Sequence, residues 1–208
     1  MAPRFITLEG GEGTGKSTQA KRLAGALNKH GIKCIVTREP GGSRGAEAIR
    51  KLLVEGEQNR WDALTETLLI FAARADHIQR TIKPALASGQ WVICDRFTDS
   101  TYAYQGAGRG MDRETIRRIE SIAVGDFRPD MTLVLDLPVD TGLARAKSRR
   151  GAEDRFEKFG ADFHEKLRQA FRDIAIRNGD RCVLIEADGG EDAIAQSIWN
   201  AVASRFKL

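Results

Sequence analysis

Of its 208 residues the chain spends only three on cysteine, three on histidine and five on proline, with 7% aromatic rings. Cys34, Cys94 and Cys182 show neither paired nor metal-ligand spacing, which argues against a disulfide framework or a structural zinc site and fits a reduced, cytoplasmic compartment. No apolar run approaches the roughly 18 residues that a membrane helix needs, so no membrane association is expected. Met1-Ala2-Pro3-Arg4 lead straight into an apolar strand-like run, so no signal peptide is expected either. Repeats, low-complexity tracts and a dividing linker are missing, which makes residues 1–208 a single expected domain. The net charge of +4 comes without a long basic run, and a nucleic-acid surface is not expected. A guanine-reading N-K-x-D, a D-F-G and a protein-kinase catalytic loop are all missing.

What is present is concentrated at the start. Gly10-Gly11-Glu12-Gly13-Thr14-Gly15-Lys16-Ser17 is a complete G-x-x-x-x-G-K-S, between a strand-like Phe5–Leu8 and a helix-like run over residues 18–28. Such a loop turns successive backbone N–H groups toward a polyphosphate, and the following helix contributes its positive end. Lys16 is placed to reach the β- and γ-phosphates and the Ser17 hydroxyl to ligate Mg²⁺, so the chain is read as binding a nucleoside triphosphate. Lys16 itself is expected on a solvent-facing loop, where its removal costs little core.

Further strand-like runs at residues 33–37, 91–94, 131–137 and 181–185 alternate with helix-like stretches. That pattern belongs to a mostly parallel sheet with helices on both faces, with ligands above the carboxyl ends of the strands. Asp112 is expected to cap a helix over residues 113–124 that Gly125 ends, and Pro84 to mark a bend or a helix start.

Asp95 and Arg96 close an apolar strand; an acid there organises Mg²⁺ in phosphate-loop proteins, while a plain salt bridge is the alternative. Thr37-Arg38-Glu39-Pro40-Gly41-Gly42 is a shaped loop on the same edge, or simply a turn. Ile70, Phe71 and Arg74 share a helix face that could stack and edge-read a base, although a large ring is more often core. Residues 99–106 bring hydroxyls and an amide close to Arg96, and residues 106–110 read as a flexible turn. Arg145, Arg149, Arg150 and Arg155 lie in and around a glycine-flanked, charge-dense segment, residues 148–160, that looks mobile; near a triphosphate they are candidates for closing charge over the transferring group.

Taken together, E-G-x-E-G-x-G-K-S-T, T-R-E-P-G-G, F-A-A-R, C-D-R-F, D-S-T-x-A-Y-Q-G and F-R-P-D-x-T-L-x-L-D resemble the thymidylate kinase family, in its order and approximate spacing. The resemblance implies an α/β, three-layer fold of the phosphate-loop nucleoside-monophosphate-kinase type, with a five-stranded parallel sheet. It implies transfer of the γ-phosphoryl of ATP to thymidine 5′-monophosphate (dTMP) with Mg²⁺, and a homodimer. Residue by residue, Gly10 to Thr18 would hold ATP together with Arg145. Glu12, Lys16, Arg96 and Arg149 would be catalytic, and Ser17 and Asp95 would organise the metal. Glu39, Arg50, Ile70, Phe71, Arg74, Arg96, Ser100, Thr101, Tyr104 and Gln105 would form the acceptor site. The loop carries no arginine of its own, as in the bacterial branch, so the catalytic arginine is expected in the lid at about 148–160. Arg149 is the first choice, with Arg150 and Arg155 behind it. The aromatic here stands three residues before Arg74 rather than four, so both Ile70 and Phe71 are candidates for stacking on thymine. Another small-molecule kinase and a nucleotide switch without turnover are the competing classes.

Overall fold

The computed structural model describes residues 2–148 and 155–208. Five strands, β1 (Phe5–Glu9), β2 (Cys34–Arg38), β3 (Trp91–Asp95), β4 (Met131–Asp136) and β5 (Cys182–Glu186), form one parallel sheet in the order β2-β3-β1-β4-β5. The chain therefore reverses direction on either side of β1, and the switch point falls beside the glycine-rich loop. The helices are α1 (Lys16–Lys29), α2 (Arg44–Val54), α3 (Ala63–His77), α4 (Lys83–Ala87), the short α5 (Thr98–Thr101), α6 (Arg113–Ala123), α7 (Val139–Lys147), α8 (Ala161–Arg177) and α9 (Glu191–Phe206).

Strand side chains alternate between the two faces. Ile6, Leu8, Trp91 and Ile93 pack with Leu23 and Leu27 of α1 and Ile194 and Ile198 of α9. Phe5, Val92 and Cys94 point the other way, toward Phe71, Phe97 and Ile116. Val134 and Cys182 meet Tyr104, Phe163 and Phe171 on the same side as α8. Near-continuous apolar strands are what a sheet covered on both faces requires.

Two helical stretches deviate from regular α geometry. Ile78–Ile82 is π-helical and runs into Pro84 in the first turn of α4. A proline has no N–H to give to the turn before it, and the wider winding absorbs the interruption. Tyr102–Gly108 continues α5 as a second π-helical stretch. The flexible turn expected over residues 106–110 is therefore corrected at its start: Gly106 and Gly108 are still helical, and Phe163 lies so close to Gly108 that a Cβ there would sit 2.5 Å from its ring. The Asp112 cap is present, its carboxylate accepting from the Thr115 amide at 2.9 Å.

Within residues 155–160 the Arg155, Phe156 and Phe159 side chains pack against the rest of the protein, whereas Lys158 and Gly160 are exposed. The Phe156 ring meets Tyr104 edge-on at 5.4 Å, and Phe159 stacks on Phe163 at 4.2 Å. Arg149 and Arg150 lie outside the described residues.

Candidate active site

Charged side chains end all five strands at the carboxyl edge of the sheet, and those of the β2-β3-β1 half lie nearest the site. Glu9 ends β1, Arg38 ends β2 and Asp95 ends β3, and a cavity of about 550 Å³ opens over them. The glycine-rich loop walls one end. Its glycines take left-handed or mirror-image backbone: φ is 135° at Gly10, 70° at Gly13 and 89° at Gly15, angles that residues with a Cβ rarely adopt. Gly13 also touches the backbone of Gly142 in α7, where a Cβ would lie 1.9 Å from the Gly142 carbonyl oxygen.

Lys16 is the first residue of α1, and it is buried, contrary to the solvent-facing position expected for it. Its ammonium folds back to donate to the Gly11 carbonyl at 2.6 Å and to Thr14 Oγ1 at 3.2 Å. Burial, and then the charge of Arg96, lower its pKa to about 8. Ser17 Oγ donates to Asp95 Oδ2 at 2.5 Å, which places a hydroxyl and a carboxylate side by side at the mouth of the loop.

Arg96 has φ of 72°, a left-handed conformation costing on the order of 1–2 kcal/mol for a residue with a Cβ. The surroundings fix it. Its amide donates to the Leu8 carbonyl at 2.9 Å, and the next amide, Phe97, donates to Glu9 Oε1 at 2.7 Å. Turned this way, the guanidinium reaches Gly10 O at 2.9 Å, Ser100 Oγ at 3.2 Å and Glu12 Oε1 at 3.1 Å. It also lies 4.9 Å from the centre of the Tyr104 ring. The Tyr104 hydroxyl donates to Glu12 at 2.6 Å. Burial pushes the Glu12 carboxyl up, but Arg96, Lys16 and the Tyr104 hydroxyl outweigh it and hold it at about 2.

The other end of the cavity is built by α3 against the α5 stretch. Arg74 is buried and donates through all three nitrogens: to Glu39 Oε2 at 2.6 Å, Thr101 Oγ1 at 3.0 Å and the Phe97 carbonyl at 3.0 Å. His77 meets the other oxygen of Glu39 at 3.0 Å. Arg50 donates to the Pro40 carbonyl at 2.7 Å on the β2 side. Ile70, Ser100, Thr101, Tyr104 and Gln105 line the cavity as well.

The residues singled out from sequence do not all arrive here. Glu12, Gly13, Gly15, Lys16, Ser17, Glu39, Arg50, Ile70, Arg74, Asp95, Arg96, Ser100, Thr101, Tyr104 and Gln105 line the one cavity. Phe71 does not: its ring is sealed in the core with Phe97, supporting Arg74 from behind at 4.8 Å, so Ile70 is the apolar side chain that faces the opening. Thr18 is exposed on α1, one residue past the loop. Gly11 and Thr14 face a smaller recess beneath the loop, and Arg145 is exposed, donating to the Ala187 carbonyl at 3.2 Å. Arg155 is corrected as well. It is wholly buried, donates to the carbonyls of Leu53, Glu57 and Gln58, and pairs with Glu66 at 2.6 Å. Every described contact ties it to the wall and none to the phosphate loop.

Sequence reasoning passed over Glu9, Glu66, Leu53, Val54 and Phe156. Glu9 and Glu66 are fully buried carboxylates, the former accepting from Phe97 N, Ser100 N and Ser100 Oγ. An isolated acid in an apolar strand was the available signal for Glu9; nothing local marks Leu53 or Val54 as cavity lining.

Comparison with known proteins decides the family. The sequence profile described as "Thymidylate kinase" matches residues 8–198. The chain belongs to the thymidylate kinase family. It is 54% identical over 204 residues to a thymidylate kinase of Caulobacter vibrioides, covering 98% of both chains. It is 50% identical to one of Magnetococcus marinus, covering 99% of this chain and 98% of that one. The crystal structure of thymidylate kinase from Ehrlichia chaffeensis superposes with a TM-score of 0.79 at 32% identity, over 97% of this chain and 100% of that one. The family thus shares the five-stranded parallel architecture seen here, and the chain is an enzyme that uses ATP as phosphoryl donor.

Proposed function

We propose that this one cavity holds both substrates of the thymidylate kinase reaction, ATP at the glycine-rich loop and dTMP against α3 and Tyr102–Gly108, giving thymidine diphosphate. The observation that carries this arrangement is Arg96, whose one guanidinium touches the phosphate loop at Gly10, the acceptor side at Ser100 and the carboxylate of Glu12 between them.

Phosphoryl transfer of this kind needs positioning and charge neutralisation rather than a covalent intermediate. Lys16 now donates to Gly11 O and Thr14 Oγ1, contacts that the oxygens of a polyphosphate would replace, raising the lowered pKa of the ammonium. Arg96 is placed to span donor and acceptor phosphates. Glu12 holds Arg96 and Tyr104 in place, and at a pKa of about 2 it remains an anion at any working pH. Arg74 supplies donors to the base edge and Ile70 an apolar wall beside it. Ser17 and Asp95 form a pair of hard oxygen donors suited to Mg²⁺, which commonly takes one or two protein oxygens and completes its shell with phosphates and water. When bound there, the ion would neutralise charge on the β- and γ-phosphates. Arg149 is assigned as the closing cation, on the strength of the sequence alone.

A homodimer is part of the same reading. Leu64 and Leu68 stand 48% and 50% exposed one turn apart on the outer face of α3, a stripe suited to a second copy. Unpaired Cys34, Cys94 and Cys182 suit a cytoplasmic setting, and no described helix is long and apolar enough to cross a membrane. A coupled assay of ADP release against free nucleosides and nucleoside monophosphates tests the activity. Turnover with dTMP well above all other acceptors is expected; turnover with free thymidine, or none with any acceptor, refutes it.

A further inference from the structure

Glu66 is a fully buried carboxylate that reaches none of the reacting groups, yet it holds three side chains at once. Its Oε1 accepts from Gln105 Nε2 at 2.9 Å, and its Oε2 accepts from Arg109 at 2.9 Å and is ion-paired with Arg155 at 2.6 Å. Glu66, Ile70 and Arg74 lie at four-residue intervals along α3, so they share one stripe. Thr101 and Gln105 are four apart on the facing helix. Two rungs join these stripes in antiparallel register, Arg74 to Thr101 and Glu66 to Gln105, with Ile70 between them facing the cavity.

The lower rung fixes the orientation of an amide. A side-chain amide has a donating end and an accepting end of nearly equal size, and its hydrogen-bond partners decide which way it turns. Glu66 is paired with two guanidiniums and faces Gln105 as an acceptor. A turned amide would set carbonyl oxygen against carboxylate oxygen and leave a buried anion without its donor. The NH₂ of Gln105 is thus committed to Glu66, and its Oε1 is the end presented to the cavity that Gln105 lines. The base wall then offers guanidinium N–H from Arg74 and a carbonyl oxygen from Gln105. That order matches a pyrimidine edge that accepts at the 4-position and donates at N3, as thymine and uracil do. Cytosine reverses both groups, donating from its amino group and holding a lone pair at N3.

We infer that Glu66 is a positioning residue for base selection, which turns Gln105 so that the pocket accepts a ring N3–H and rejects a ring nitrogen with a lone pair. Arg109 and Arg155 anchor Glu66 from the far side. This rests on the proposed docking of the acceptor base beside Arg74 and Gln105. A pocket built to pair with a polar group rejects an analogue of opposite polarity strongly, because its buried groups are left unpaired.

The test compares kcat/KM for dTMP and dCMP in the wild-type protein and in Glu66→Gln, with circular dichroism as a check on folding. An amide at 66 accepts or donates equally well, which releases the constraint on Gln105. The dTMP-to-dCMP ratio should narrow at least tenfold, and a ratio within threefold of wild type in a folded variant overturns the inference. A wild-type protein that does not turn over dTMP overturns the docking beneath it instead. A second measurement needs no variant. In ¹⁵N-labelled wild-type protein the Gln105 side-chain NH₂ protons should be protected from solvent exchange both before and after dTMP is added. Free exchange, or protection gained only with nucleotide, shows the NH₂ facing the cavity and refutes the assignment even if Glu66→Gln fails to fold.

Discussion

Replacing Arg155 by alanine separates two roles that the sequence alone could not. An arginine that closes over the transferring phosphoryl would be dispensable for folding, and its loss would cost on the order of 10³-fold or more in turnover. The structure instead shows a wholly buried guanidinium giving hydrogen bonds to three backbone carbonyls, at 3.0, 3.0 and 2.9 Å, and pairing with Glu66 at 2.6 Å. Breaking a buried ion pair from one side costs roughly 3–5 kcal/mol, and the lower half applies because Arg109 still neutralises Glu66. The three carbonyls add about 1 kcal/mol together, since Glu57 and Gln58 can turn to water. A loss of about 4 kcal/mol, at roughly 2–4 °C per kcal/mol for a chain of this size, lowers Tm by about 8–16 °C. Thermal and urea unfolding of Arg155→Ala measure this, and kcat at a temperature where the variant is folded should fall less than about tenfold. A melting point within about 2 °C of wild type together with a thousand-fold loss of turnover would refute the reasoning and return Arg155 to the reaction centre.

Arg96→Ala should lower kcat far more than it raises KM, because the side chain grips charge that forms during transfer; a raised KM with unchanged kcat would reduce it to a docking residue. Lys16→Ala should abolish turnover while leaving a cooperative unfolding transition, and near-normal activity in the folded variant would dispose of the phosphate-loop reading. Arg149→Ala should lose most of its turnover with little change in ATP affinity measured without acceptor, whereas normal turnover would remove Arg149 from the mechanism. Burial and the neighbouring Asp99 raise the Glu9 carboxyl from 4.5 to about 7. A raised folded-state pKa contributes stability that is complete below about pH 4.5 and lost as pH climbs through 7, about 3 kcal/mol from this group. Urea unfolding at pH 5 and pH 8 should show that decline in wild type and a flatter profile in Glu9→Gln; equal slopes in the two would contradict it.

Elements with strong local signals were legible without coordinates. The glycine-rich loop, the five apolar strands and the Asp112 cap depend on residues adjacent in sequence, and each sits within a residue or two of its expected place. The side chains that line the acceptor end were harder. Ile70 and Phe71 are neighbours in one helix, and only the packing of Phe71 against Phe97 shows which faces inward. Lys16 was misplaced because a lysine at a helix start ordinarily reaches water, whereas here the loop carbonyl of Gly11 holds it down. Arg155 was misread for a related reason. A charge-dense, glycine-flanked segment ordinarily faces solvent, and the carbonyls that bury Arg155 belong to residues about a hundred positions earlier.

The backbone contact between Gly13 and Gly142 bears on protein engineering. A Cβ on Gly142 would stand 2.5 Å from the Glu12 carbonyl oxygen, as one on Gly13 would collide with Gly142. The familiar eight-residue signature is therefore not a portable cassette in this scaffold. A graft that copied residues 10–17 into a host with alanine or anything larger at the position facing the loop would import the right letters and the wrong shape. The unit that has to travel together is the loop and the first turn of α7 beneath it, two stretches more than a hundred residues apart that share one glycine-to-glycine seam.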